Sequence, residues 1–348
     1  MPVSANSLSP DTAQRLNLEA RISGLQGKLK ESEERARHWC RERDQLEDRF
    51  NALAAIRQEV EPGPAILQED LPEAEAICIA NWSDWHVAEK VDKSKVSGKN
   101  SYSPEIARIR SRKCAESTRR LFKHVRNGYK VDTLVLLLGG DFITGYLHEE
   151  LAQTNAMPPV EETSFAKTLL IDGLTHLVEE KSIKKLRVIC SRGNHGRTTR
   201  KMQYKNDYET SYESWLYWDL QEKFADGKRV EFYIPRGDVA VTKLFGNFKL
   251  RTYHGHQIKY NDGVGGLTIP LNKWQSKQQQ IEPADFNLHG HYHTYGHPNQ
   301  VTIQNGALKG FDEYAASHGF PYQEPLQTFA LVDVKRRIVA QHLPVFCT

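Results

Sequence analysis

The sequence has no long apolar segment and little cysteine. No uninterrupted apolar run exceeds the five residues of 134–138, far below the roughly 20 that cross a bilayer, and the first residues show neither a basic start nor an apolar stretch. The five cysteines form no C-x-x-C pair, which excludes a disulfide framework and a thiolate metal cluster. We therefore expect a cytoplasmic protein with reduced thiols and no membrane partner.

Charge is nearly balanced overall but uneven along the chain. The sequence has 47 lysines and arginines against 44 acids, a net charge of +3, so the total identifies no partner. Residues 108–130 nevertheless contain nine basic residues and one acid, and residues 192–205 contain five basic residues and no acid. Such clusters are typical either of a solvated helix face or of a surface that binds polyanions.

The N-terminal segment is predicted to be a helical arm. Over residues 11–59, positions spaced alternately four and three apart are apolar, with Ser32 and Arg43 as exceptions. A repeat of this length favours a coiled coil, and hence a homo-oligomer, over a helix folded back on its own domain. The Glu61-Pro62-Gly63-Pro64 run ends the helix. We predict an arm at 1–60, a linker at 61–75 and a globular domain at 76–348.

The rest of the chain alternates between strand and helix patterns and then becomes rich in strands. Helices are predicted at 104–126, 161–181 and 208–225. Strands are predicted at 76–82, 132–138, 186–191, 230–234, 239–244, 248–254, 286–290, 300–304, 328–334 and 338–343. This order predicts an α/β protein with two packed sheets.

Metal-ligating residue types follow five of these strands, at the point where each strand ends. They occur in the turns Asp84-Trp85-His86, Gly140-Asp141, Gly193-Asn194-His195, His254-Gly255-His256 and His291-Tyr292-His293. Open α/β sheets place their sites in loops at strand C-termini, and neighbouring glycines allow tight turns. Carboxylate, amide and imidazole donors without thiolates favour Mn, Fe or Zn. Two ions that share one carboxylate need about seven or eight donors, and the five turns together supply that number.

This order of turns resembles the calcineurin-like metallophosphoesterase superfamily, whose pattern is D-x-H, G-D, G-N-H followed by an acid, H, and G-H-x-H. The resemblance covers about residues 76–343 and is closest to the SbcD-type DNA nuclease branch and to stand-alone relatives encoded by bacteriophages. It implies a four-layer α/β/β/α sandwich of two mixed sheets, preceded here by the long N-terminal helix. It also implies two divalent metal ions, with Mn preferred and Fe or Zn as alternatives.

The resemblance further implies a role for each residue of the five turns. His195 would face the phosphate, where it would stabilise the transferring group or protonate the leaving oxygen. We prefer His254 over His256 as a ligand because it comes first after its strand and precedes a glycine, but both stay open. The implied ligands are Asp84, His86 and His293 for one metal, Asn194, His254 and His291 for the other, and Asp141 as the bridge between them.

Two positions depart from the superfamily pattern. Gly196 stands where an acid usually follows G-N-H, and Thr144 stands where protein phosphatases carry a second aspartate. Members of the nuclease branch also lack that aspartate and place a further histidine downstream. His148 would take this catalytic part or, equally, be an ordinary surface histidine. Alternatively, Glu149 or Glu150 would hydrogen-bond a ligand. Arg192 and Arg197 flank the G-N-H turn and are candidates for binding phosphate or, equally, for forming salt bridges.

These observations predict a dinuclear-metal-dependent hydrolase of phosphodiester bonds, a DNA nuclease that uses a hydroxide bridging the metals. The basic clusters would hold the nucleic-acid backbone, and the bases would stack on one or more tyrosines. The candidate tyrosines are Tyr102, Tyr204, Tyr208 and Tyr212. The alternatives are a phosphomonoesterase or small-nucleotide phosphodiesterase of the same fold and, less favoured, an inactive scaffold.

Overall fold

The structure is a computed structural model and describes residues 21–22, 24–34, 37, 76–244, 248–260, 266–333 and 335–348. The chain divides into two units, Met1–Pro64 and Ala65–Thr348. In the first unit the described residues are helical, and Ile22, Leu25 and Leu29 are exposed. The remainder of the helix predicted at 11–59, and the linker at 61–75, lie outside the described residues, so the coiled coil stays a prediction.

The second unit contains strands that form two sheets. In chain order the strands are β1 (Ala76–Trp82), β2 (Thr133–Leu138), β3 (Lys185–Cys190), β4 (Val230–Tyr233), β5 (Val239–Lys243), β6 (Lys249–Tyr253), β7 (Phe286–His289), β8 (Gly296–Asn299), β9 (Thr302–Gln304), β10 (Leu326–Asp333) and β11 (Ile338–Phe346). All the predicted strands are present, with ends shifted by a few residues. The strand β8 was not predicted, because its sequence Gly-His-Pro-Asn has neither an apolar alternation nor a β-branched residue.

Six helices of the described chain accompany these strands. They are α1 (Pro104–Arg126), α2 (Glu149–Thr154), α3 (Pro159–Val178), α4 (Tyr212–Lys223), α5 (Thr268–Ile281) and α6 (Glu313–Ser317). The three predicted helices are present as α1, α3 and α4. Ser103 caps α1 by accepting a hydrogen bond from the Ile106 amide, with Pro104 at the first turn, as expected for a helix start. No described helix is long and apolar enough to span a bilayer.

Both sheets are mixed. The first has the order β11-β10-β1-β2-β3-β4, in which β1 to β4 run parallel and β10 and β11 are antiparallel. The second has the order β5-β6-β7-β9-β8, with a parallel centre and antiparallel edges. Because β1, β2 and β3 are parallel, the turns that follow them leave the same edge of the first sheet.

The first sheet is buried on both faces, which explains the unbroken apolar run in β2. Leu134, Leu136 and Leu138 pack in the core beneath α1, α3 and α4. Val135 and Leu137 point the other way, into a second core shared with the other sheet. On the outer face of the second sheet, Tyr253 packs with Leu271 of α5. The contacts give the layer order α/β/β/α.

We expect alanine substitutions on the two faces of β2 to be equally damaging. Leu136→Ala and Leu137→Ala should each lower the free energy of unfolding by about 2–5 kcal/mol, because each leaves a cavity in a different buried core. Ile338→Ala, at an exposed position of β11, should change it by less than about 0.5 kcal/mol. Urea unfolding measures all three, and a Leu137→Ala variant as stable as Ile338→Ala would contradict burial on both faces.

Candidate metal centre

Three of the five turns that carry the predicted ligands share an unusual backbone conformation. Asp84, His86, Asp141, His291 and His293 have φ angles of +57°, +45°, +54°, +75° and +55°. Residues other than glycine rarely adopt this left-handed region, and it costs about 1–3 kcal/mol each. In folded proteins such strain persists where the surroundings fix it, most often at functional sites. Here each turn follows directly from a buried strand, which holds it in place.

Three glycines allow these turns to touch one another. A Cβ on Gly140, whose φ is +89°, would overlap the backbone of Gly193 in the neighbouring turn. A Cβ on Gly193 would overlap the Asp141 carboxylate, and one on Gly290 would overlap the Asp84 carboxylate. The two carboxylates can therefore lie in the middle of the cluster only because the facing residues have no side chain.

Asp84, His86 and His293 form the first group. The Nε2 atoms of His86 and His293 are 3.2 Å apart, and His293 Nε2 is 3.4 Å from Asp84 Oδ1. Asp84 is oriented by Ser83, whose hydroxyl donates to Oδ2, and by the His291 amide, which donates to Oδ1 over 3.0 Å. One potential ligand atom from each residue lies within 4.8 Å of the other two, as a single cation requires.

Asp141 of the second group faces a histidine of the first. Asp141 Oδ2 is 2.9 Å from His254 Nε2 and 4.0 Å from His86 Nε2, and Asp141, His254 and His291 form a second set of atoms within 4.8 Å of one another. The Nδ1 atom of His254 lies 2.8 Å from the carbonyl oxygen of Gly139. If Nδ1 carries the proton, Nε2 is left free to face Asp141.

The donor set fits a pair of divalent cations. The Asn194 side-chain oxygen is buried without a hydrogen-bond partner among the described residues, and a buried acceptor of this kind needs one. Burial alone would lower the pKa of His254, but the Asp141 carboxylate outweighs it and raises the pKa to about 10. A divalent cation bound to Nε2 would displace that proton. His256 instead pairs with Asp238 over 3.2 Å and belongs to neither group.

Comparison with known proteins agrees with this geometry. The family model described as calcineurin-like phosphoesterase matches residues 79–327, more than half of the chain. The chain belongs to this family. Its members typically bind divalent metals, and the family indicates a metal-dependent phosphoester hydrolase. No curated protein sequence matches the chain.

Among solved structures, the chain is similar to "Termus thermophilus Sulfate thiohydrolase SoxB in complex with glycerol". The identity is 10%, and the alignment covers 79% of this chain and 57% of the other, with a TM-score of 0.31. The chain thus spans little more than half the length of that protein. A likeness at this score carries no argument about the activity.

His195 is held from two sides. Its amide donates to Asp141 Oδ1 over 2.9 Å, and its Nδ1 lies 2.8 Å from the carbonyl oxygen of Thr144. Its ring centroid is 4.7 Å from that of His86, and 6.4 Å from that of His148. Burial lowers the pKa of His195 to about 4, although Asp141 partly opposes the shift. His148 is exposed and precedes α2, which begins with the two exposed glutamates.

The two candidate arginines both contact protein groups. Arg192 is buried and donates to the Asp207 carboxylate from Nε and Nη2, and to the carbonyl oxygens of Pro235 and Arg236. Its guanidinium therefore fastens the G-N-H turn to neighbouring loops. Arg197 donates to backbone carbonyl oxygens, including that of Asn194 over 3.2 Å. Arg192 thus forms a salt bridge with Asp207, whereas the contacts of Arg197 are hydrogen bonds to carbonyl oxygens.

Sequence reasoning missed Glu213, which replaces the missing acid in space. Its Oε1 accepts the Phe142 amide over 2.8 Å and its Oε2 accepts the Gly193 amide over 2.6 Å. Its Cγ is 2.8 Å from the place where a Cβ on Gly196 would lie. A carboxylate from α4 thus occupies the space beside Gly196 and joins the turns that carry Asp141 and Asn194. No local motif marks this residue in the sequence.

Glu162 on α3 has a similar function for the neighbouring loop and was also missed. Its carboxylate accepts the amides of Ala88, Thr144 and Gly145. It fixes the peptide whose carbonyl oxygen contacts His195. Burial raises the pKa of Glu162 to about 7, although the amide donors lower it in part.

Gly196→Asp and Glu213→Ala should each weaken Mn²⁺ binding and lower the melting temperature, by the equivalent of about 1–3 kcal/mol. The first variant creates a clash with Glu213, and the second leaves two buried amides without an acceptor. The double variant removes the clash and returns a carboxylate. Its loss of Mn²⁺ affinity and of stability should therefore be smaller than the sum of the losses in the two single variants. Calorimetric titration and thermal unfolding measure both effects. Additive losses would mean that the two positions do not share a space.

The unfolding free energy should depend on the protonation of Glu162. Because its folded pKa of about 7 lies above its usual value of 4.5, the folded chain binds more protons between these values, and this carboxyl lowers stability as the pH rises through the window. Glu162→Gln should remove this contribution, which is up to about 1.4 kcal/mol per pH unit. Denaturant titrations at several pH values test it, with the exposed neighbour Glu161→Gln expected to keep the wild-type slope.

Proposed function

We propose that this phosphoesterase uses two divalent cations to hydrolyse phosphodiester bonds, with DNA as the substrate. The observation that carries the proposal is the position of Asp141, whose Oδ2 faces His86 of the first group and His254 of the second. Asp141 itself forms metal-capable sets with His86 and His195 and with His254 and His291. A carboxylate placed in this way is suited to bridge two ions. With oxygen and nitrogen donors only, Mn²⁺ is the preferred metal, and Fe and Zn are the alternatives.

Asp84, His86 and His293 would hold one cation, and Asn194, His254 and His291 the other, with Asp141 between them. Bound in this way, two cations supply Lewis-acid activation of water and neutralise charge on phosphate oxygens.

His195 lies beside these ligand residues, with Nδ1 directed to the carbonyl oxygen of Thr144 and its ring centroid 4.7 Å from that of His86. A phosphate anion bound next to the ring would raise the low pKa of His195 by charge attraction. Its Nε2 could then donate a proton or hydrogen bond to a phosphate oxygen.

Two features favour a diester over a monoester. Thr144 stands in the position of the second aspartate of protein phosphatases, so that carboxylate is missing here. The segment after the G-N-H turn is also basic and exposed. Arg200, Lys201 and Lys205 are all exposed, and the side chain of Tyr204 between them is 82% exposed. Cations with an interleaved aromatic ring suit a nucleic-acid strand.

The cluster at residues 108–130 supports the proposal less. Arg110 is buried and donates to the carbonyl oxygens of Leu308 and Lys309. Arg112 and Arg119 pair with acids on and after α3. These cations stabilise the packing of α1, so the second basic cluster is the stronger candidate for contact with DNA.

We expect Mn²⁺-loaded full-length protein to hydrolyse bis-p-nitrophenyl phosphate and DNA faster than p-nitrophenyl phosphate. Asp141→Asn should lower the rate by more than about 100-fold, since losing an outer partner of a ligand alone costs about 10–100-fold. Asp172→Asn, an exposed position on α3, is the matched control and should keep the wild-type rate. A faster reaction with the monoester would favour the phosphomonoesterase alternative, and full turnover by Asp141→Asn would refute the bridging carboxylate.

A further inference from the structure

Exposed aromatic rings that the proposed function does not use form a cluster beside the metal centre. This ring cluster consists of Tyr260, Tyr314, His318 and Phe320. The centroids of Tyr314 and His318 are 4.1 Å apart, and Phe320 is 6.0 Å from Tyr314 and 6.3 Å from Tyr260. Tyr314 is 63% exposed, Tyr260 50% and Phe320 37%. Contiguous exposed rings are rare on a surface that has no binding partner.

The segment that carries three of these rings is fastened to the ligand turns at both ends. At one end, Lys309 is buried and binds both Asp312, the N-cap of α6, and Glu89, whose carboxylate is 4.0 Å from His86 Nδ1. At the other end, the Gln323 side chain bonds the amide and the carbonyl oxygen of Tyr295, two residues after His293. The ring cluster therefore has a fixed position relative to the first metal group.

Tyr260 approaches from the second metal group. It ends the described segment 248–260, which contains His254, and the Tyr292 hydroxyl donates to the carbonyl oxygen of Ile258 within that segment. Tyr292 itself lies between the ligands His291 and His293. The ring cluster thus joins segments that are connected to each of the two groups.

Lysines border the ring cluster. Asp92 donates its amide to the Glu313 side chain over 2.8 Å, which places the loop of residues 90–99 against α6. In this loop Lys93 and Lys95 are exposed, and Lys99 lies 5.4 Å from the ring centre of exposed Tyr322. A polyanion bound here would contact these lysines next to the flat apolar faces of the aromatic rings.

We propose that the ring cluster and the lysines of residues 90–99 bind single-stranded nucleic acid and lead it to the metal centre. This inference rests on the proposed function and specifies its substrate. Bases stack on aromatic faces only when they are unpaired, since in a duplex their faces are covered by neighbouring base pairs. The lysines supply the contacts to phosphates, and these contacts are independent of sequence.

Fluorescence anisotropy with labelled oligothymidylate tests the proposal on the full chain in EDTA, where no strand is cut. Tyr314→Ala and Phe320→Ala should each weaken binding about tenfold, as expected for the loss of one stacked base, while Tyr314→Trp should retain it. Tyr129→Ala, at an exposed ring before β2, is the matched control and should bind as wild type. Lys95→Ala should reduce the salt dependence by about 0.7 in the log–log slope, and Lys228→Ala should leave it unchanged.

The outcomes separate this proposal from the hydrolysis of diesters. Normal binding by Tyr314→Ala and Phe320→Ala, or tighter binding of a duplex than of a single strand, would overturn it even if bis-p-nitrophenyl phosphate is hydrolysed. If these variants change the molecular mass measured by light scattering but not the anisotropy of the oligonucleotide, the rings mediate contact between chains. This result would also overturn the proposal. Failure to hydrolyse any diester would refute the proposed function, whatever the oligonucleotide binding.

Discussion

The candidate centre depends on one constraint, which is that the two carboxylate oxygens of Asp141 face different partners. Oδ1 is occupied by the His195 amide, so only Oδ2 is directed to the space between His86 and His254. For this to happen, the turns after β2 and β3 must lie in backbone contact, which glycine at position 193 allows. Replacing that glycine would move the carboxylate and with it both groups of ligands.

Such an arrangement is unfavourable to fold in isolation, and the surrounding architecture stabilises it. Strained φ angles and buried imidazoles raise the free energy of the folded state. The two apolar cores hold the strands that end in these turns. Carboxylates from the helices then fix the turns from behind: Glu213 of α4 joins two of them, and Glu162 of α3 binds three amides around the next loop. Rigidity at the centre therefore comes from the strands and helices outside it.

This arrangement explains what could be predicted from the sequence. Residues such as Asp84 and Asp141 were identifiable because each directly follows an apolar strand, and parallel strands bring such positions to one edge. Glu213 and Glu162 were not, because a helix delivers them from far along the chain and their own surroundings contain no motif. The part played by Arg192 could not be decided from the sequence, because a position next to G-N-H suits phosphate binding and salt bridging equally. In the structure its guanidinium fastens the turn to other loops.

Substrate choice in this molecule must come from segments outside the fixed centre. The ligand turns are shared with a whole family, so they specify phosphoester chemistry without specifying the ester. The segments that differ are anchored to these turns on one side and exposed on the other. One follows Arg197 and carries cations and Tyr204, and another runs from Lys309 to Gln323 and carries aromatic rings. Rings and cations on segments anchored to the candidate ligand turns are complementary to a chain of bases and phosphates, and they form a larger surface than a single phosphate monoester requires.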